Sequence, residues 1–140
     1  MILLNSFCAL KSYGQVQDSI HLSNNYLRKF ELFDNKEKFL QDSLYSEVNN
    51  PQLKESLSRQ INKVSQNFKF LALNGHIASL DCQESIKKHL EVFKVQFLDT
   101  EESEKVCEYI QELMDIVGLK SSNGKLNIFL YGFDPSKINR

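Results

Sequence analysis

No apolar run in this 140-residue sequence approaches the ~20 residues that a membrane-spanning helix needs, so a transmembrane segment is not expected. Charge of one sign is also lacking. Lys and Arg total 17 against 18 Asp and Glu, and a net charge of −1 excludes the strongly basic balance of a nucleic-acid or anionic-membrane binder. The three cysteines, Cys8, Cys82 and Cys107, are odd in number and widely separated, which argues against a disulfide framework and for reducing surroundings. Cys82 and His89 lie seven apart and share a helix face, yet two ligands without a CxxC or HxxxH spacing do not make a zinc site. The five glycines (Gly14, Gly75, Gly118, Gly124 and Gly132) are scattered and form no phosphate-cradling loop. No G-x-S-x-G elbow is present, and His21, His76 and His89 stand in no triad spacing. The start has no basic residue before Lys11 and no arginine before Arg28, so neither an intact secretory signal nor an Arg-rich transit peptide is expected. These absences point away from a self-contained enzyme and imply no cofactor.

What is present is ordinary globular material: 41% apolar and 25% charged residues, enough for one domain or two small ones. Lysine outnumbers arginine 14 to 3, a bias that suggests an AT-rich coding source rather than a function.

Apolar spacing along the first two thirds is helical. Leu3, Phe7 and Leu10 form a stripe ended by Gly14, and Val16, Ile20, Leu27 and Phe30 predict a second helix to about Phe33. Phe39, Leu40 and Leu44 predict a short third helix. Asn49-Asn50-Pro51 then opens the longest pattern, Leu53, Leu57, Ile61, Val64, Phe68 and Leu71, with a break near Gln60 that would split it in two. The pattern stops at Asn74-Gly75, and Cys82, Ile86, Leu90 and Phe93 carry a further helix. After Leu90 the period changes. Phe93, Val95 and Phe97 alternate, which predicts a strand. Asp99 and Thr100 cap a helix with Glu101 and Glu102 in its first turn, its stripe is Val106, Ile110, Leu113 and Val117, and Gly118 closes it. Leu126, Ile128 and Leu130 alternate as a second strand. The expected fold is mostly α: a bundle of five or six short helices over residues 1–90, then a small, incomplete β-α-β unit over residues 91–140.

The stretch "QNFKFLALNGHIASL" resembles the fifth-helix signature of the delta subunit of F-type ATP synthases, called OSCP in mitochondria; the matching residues are Phe68, Phe70, Leu71, Ala72, Asn74 and Ile77. His76 stands where that family has a basic residue, whereas Gln66, Asn67 and Leu73 depart from its pattern. The tetrad "LALN" is also similar to the tip of chemotaxis receptors, whose sustained heptads Gly75 interrupts. The end, "NIFLYGFDPSKINR", is similar to the family's closing motif through Asp134, Pro135, Ser136 and Ile138, with Lys137 and Asn139-Arg140 as departures. The family order of six helices followed by an α/β unit is matched over nearly the whole chain, in a divergent version without the last strand and terminal helix.

The resemblance implies a non-catalytic stator subunit joining the catalytic head of a proton-translocating ATP synthase to its peripheral stalk. Its helical domain would hold the N-terminal helix of an alpha subunit, and its C-terminal unit would contact a b-type stalk subunit. Membrane association would come only through the complex, on the matrix face of the mitochondrial inner membrane or the cytoplasmic face of a bacterial membrane. The residues themselves fit a groove for a partner helix, because Phe68, Phe70, Leu71 and Leu73 nearly encircle one helix. Leu4 and Phe7 would form one wall, with Phe68, Leu71 and Ala72 the other; Asp134, Pro135 and Ile138 would meet the stalk. The alternatives are a stand-alone helical adaptor or signalling protein that binds a partner helix, an enzyme built from dispersed residues, and a plain core role for every groove residue.

Overall fold

The computed structural model of the protein describes residues 20, 22–42, 45–46, 50–74 and 77–138. Among them run five α-helices: α1 (Tyr26–Asn35), α2 (Pro51–Leu73), α3 (Ser79–Lys94), α4 (Thr100–Val117) and α5 (Lys125–Tyr131), followed by a 3-10 turn at Pro135–Lys137. The first expected helix, with Leu4 and Phe7, lies outside the described residues.

α2 organises the bundle. Asn50 accepts hydrogen bonds from the N–H groups of Gln52 and Leu53, and Pro51 occupies the first turn, where its missing N–H costs nothing. Its buried stripe of Leu57, Ile61, Val64, Phe68 and Ala72 lets it pack on α1, α3 and α4 together. No break occurs at Gln60, because that side chain is buried and bonds across to His89 on α3 (3.0 Å). α4 opens with a capping box in which Asp99 and Glu102 satisfy each other's backbone N–H groups, and it closes at Gly118 in the left-handed conformation (φ 76°).

The expected β-α-β unit is corrected: no strand exists among the described residues, and the whole is a helical bundle. Phe93 belongs to α3, where it extends the buried series Cys82, Ile86 and Leu90 at helical spacing; Val95 and Phe97 lie beyond the helix and are exposed. The second expected strand is α5. Left-handed glycines at both ends, Gly124 and Gly132, frame it, and Leu126 and Phe129, three apart, turn toward the core. Two unsupported strands would have left rows of unpaired backbone groups, whereas a helix satisfies these internally.

Other boundaries moved as well. The second expected helix begins only at Tyr26, although Ile20 and Leu22 still pack on the core. The short helix expected at Phe39–Leu44 is irregular where it is described: Phe39 has φ 60° and is completely buried. One hydrophobic core joins α1 through α4, from Phe30 and Phe33 to Ile110 and Val117, and the expected boundary at residues 90/91 falls inside α3.

Candidate binding surfaces

The expected partner groove is not laid out as the sequence suggests. Phe68 and Ala72 are core residues, and Leu71 is half-buried against that core. Although α2 has neighbours on three sides, Glu55, Arg59, Lys63, Gln66, Asn67, Phe70 and Leu73 are exposed along it. The last two are large and apolar, 61% and 58% exposed, and Leu80 just beyond the turn is exposed too. The apolar excess predicted around α2 is therefore real, but Phe70 and Leu73 carry it.

The expected stalk-contact residues have separate roles. Asp134 caps the 3-10 turn: its carboxylate accepts from the Ser136 hydroxyl (2.9 Å), the Ser136 N–H (3.1 Å) and the Asn127 amide of α5 (3.2 Å). These bonds, the Ser136 hydroxyl foremost, hold its pKa below the usual carboxylate range. A side chain at Gly124 would collide with this carboxylate, so glycine is required there both for space and for its φ of +78°. Pro135 and Ile138 are exposed.

Two grooves of similar size lie between separate pairs of helices. One, about 340 Å³, runs between α3 and α5; it is lined by Leu90, Ile128 and Phe129, with Lys87, Lys94, Lys125 and Glu91 around them. Lys87, Leu90, Glu91 and Lys94 share a face because they are spaced i, i+3, i+4, i+7 on α3. None of these lysines has an ion-pair partner among the described residues. The other groove, about 300 Å³, lies between α1 and α4, lined by Lys29, Leu32, Phe33, Lys36, Glu112, Asp115 and Ile116. There charges cancel, and Lys36 closes onto Glu112 at 2.5 Å.

Beside the second groove, cations and rings form a tight cluster. Lys38 is only 2% exposed; its ammonium donates to the carbonyls of Phe33 (2.6 Å) and Lys36 (3.1 Å) and stands 4.5 Å from the centre of the Phe33 ring. It thereby satisfies a carbonyl that the end of α1 leaves open. Burial, aided by the charge of Lys36, pushes its pKa down. The Tyr109 hydroxyl accepts from the Phe39 N–H (2.7 Å), fixing the left-handed residue, and burial raises the Tyr109 pKa. Burial raises the Tyr45 pKa to about 12. Lys105 keeps its charge: burial opposes it, but bonds to Asp42 (2.7 Å) and Glu108 (3.0 Å) prevail and raise its pKa. The Tyr45 hydroxyl is buried with no hydrogen-bond partner among the described residues, but Lys38, Tyr109 and Lys105 are bonded to the α1–α2 connection, and Tyr109 and Lys105 tie it to α4, so the cluster is a structural clamp.

Between α2 and α3 lies a polar chain. Gln60 bonds the Nδ1 of His89, and the Asn67 carbonyl oxygen accepts from Ser85 (2.7 Å) and faces His89 Nε2 at 3.4 Å. With the Gln60 amide donating to Nδ1, the neutral tautomer carrying its proton on Nε2 satisfies both ends. Burial, then Lys63, lowers the His89 pKa. Cys82, its sequence companion, sits in the core, with its thiol pKa pushed to about 12 by burial; Cys107 is likewise buried and raised to about 12. Among the described residues no group of three His, Cys, Asp or Glu converges as a metal site.

Sequence reasoning missed the α3–α5 groove because it assigned one wall to a strand. The signal was available: Gly124 and Gly132 bracket a seven-residue segment whose Leu126 and Phe129 stand three apart.

Residues 21–134 match a family described as a domain of unknown function, DUF4844. No curated protein matches the chain. The fold is similar to the crystal structure of a DUF3571-family protein from Acinetobacter baumannii, with a TM-score of 0.71 and 29% identity, over 76% of this chain and 89% of that one.

Proposed function

The chain belongs to the DUF4844 family of domains of unknown function, and we propose that it is a non-catalytic helical module that binds an amphipathic helix of a partner protein. The observation that supports this reading is the exposed apolar ridge of Phe70 and Leu73 at the end of α2, with Leu80 across the turn. Large side chains in such positions are the anchors that helix-in-groove recognition uses. The stator role implied by the resemblance is one specific case, with the N-terminal helix of a catalytic-head alpha subunit as the ligand; the adaptor role is the general one.

The test is a pulldown with the full chain and with the double variant Phe70→Ser, Leu73→Ser, accompanied by melting curves. Both side chains are exposed, so the variant should melt within a few degrees of the parent. A partner retained by the parent and lost by the variant supports the module, and its identity separates stator from adaptor. Equal capture by both chains removes this surface as the binding site.

A further inference from the structure

We infer that the groove between α3 and α5 is a site for a free single-chain anionic amphiphile, its aliphatic chain lying on Leu90, Ile128 and Phe129 and its carboxylate or phosphate head met by Lys87, Lys94 and Lys125. The inference stands on a different surface from the Phe70–Leu73 ridge and does not depend on it.

Size limits the ligand first. About 340 Å³ lies at the low end of the roughly 300–1,000 Å³ of small-molecule sites, room for one chain or ring system. A partner helix, about 10–12 Å across, would enter only with single side chains. The floor sets the second requirement. Ile128 is 47% exposed beside Leu90 and Phe129, so an apolar ligand removes hydrocarbon surface from water.

Charge sets the third. Three lysines and one glutamate give this rim a net charge of +2, on a chain whose total is −1. The comparable groove at α1–α4 has two cations and two anions, and its Lys36 is already held by Glu112. The α3–α5 lysines have no such partner among the described residues, so an incoming anion displaces no ion pair. A bare anion would gain little at such exposed ammonium groups, and a bare alkane would leave them unused. The joint requirement is an anionic head on an apolar chain. Glu91, between Lys87 and Lys94 on the same face, opposes that head.

The experiment titrates the full chain with decanoate below its micelle concentration, by calorimetry and by 1H–15N NMR, against decanol and phosphatidylglycerol vesicles. Saturable binding is expected, with shifts centred on α3 and α5. The double variant Lys94→Gln, Lys125→Gln should bind about tenfold more weakly, as for the loss of roughly 1.4 kcal/mol. Glu91→Gln should bind several-fold more tightly, and decanol more weakly than decanoate. Melting curves should be unchanged in both variants, since no ion pair is lost. No saturable binding at millimolar decanoate, equal binding of decanol, shifts centred on Phe70 and Leu73, or binding to vesicles alone would each overturn the inference.

Discussion

The α1–α4 and α3–α5 edges of the bundle begin from the same ingredients, apolar helix faces flanked by lysines, and finish differently. At α1–α4 the lysines are used: Lys36 meets Glu112, Lys38 caps the end of α1, and Lys105 bridges Asp42 and Glu108. Phe33, Phe39, Tyr45 and Tyr109 fill the space between them, with ring centres 5.0–6.5 Å apart. At α3–α5 the lysines stand apart from any acid that pairs with them among the described residues, and the short α5 buries no residue fully. A lysine that neutralises an acid or caps a helix serves the fold; one left beside an apolar floor is free to serve a ligand.

The largest test of this contrast removes an apolar side chain from each edge. Phe33→Ala should cost about 3–5 kcal/mol, as expected for a buried aromatic, whereas Ile128→Ala should cost less than about 1 kcal/mol. Urea unfolding of both variants measures the difference, and equal losses would erase the distinction between a filled edge and an open one.

Tyr109→Phe probes the clamp more finely. It keeps the ring and removes the acceptor for the buried Phe39 N–H, so a loss of about 1–3 kcal/mol is expected. Released amide protection at Phe39 in hydrogen exchange would identify the cause; an unchanged unfolding midpoint would mean that this bond contributes nothing net.

The α2–α3 interface between the two edges should respond to pH. The His89 pKa is lowered from its ordinary 6.5 by burial and Lys63, so the folded chain binds a proton less readily than the unfolded one. The stability tied to this group is therefore complete above about pH 6.5 and is lost as pH falls through that value toward the folded pKa. A proton on Nδ1 would also face the Gln60 amide donor unless that amide turns over. Unfolding midpoints at pH 8 and pH 5 should differ less in His89→Gln than in the parent chain.

The smallest effects concern the lysines themselves. Lys36→Ala should cost about 0–1 kcal/mol, because its pair with Glu112 is partly exposed, and high salt should reduce that cost. Lys94→Ala should fall within about 0.5 kcal/mol of the parent at any salt concentration. A measurable loss at Lys94 would give that residue a structural role and weaken the case for an open edge.

Local signals defined much of the architecture. Asn50-Pro51 opens α2, Asp99 with Glu102 opens α4, and Gly118 ends it, since capping depends on residues within a turn of one another. The stripe from Leu57 to Phe68 marked a buried face because helical period alone places those side chains together. The same reasoning failed where a segment was short. Phe93, Val95 and Phe97 and the run Leu126–Leu130 fit period two as well as a helix, and only the distant residues they pack against separate the two. The candidate surfaces were less legible still. Phe70 and Phe68 are both phenylalanines on one helix, and three packed neighbours decide that Phe68 is core and Phe70 is not.

By itself, then, the sequence determined the starts of α2 and α4, the stop at Gly118 and the main core stripes, because each depends on neighbours within a turn or two. Tertiary structure alone decided that Lys38 is buried as a cap while Lys94 has no ion-pair partner among the described residues, and which grooves exist. Those outcomes rest on contacts between segments tens of residues apart, such as Lys36 with Glu112 and Phe39 with Tyr109, and burial, pairing and groove shape are properties of such contacts rather than of any local run of residues.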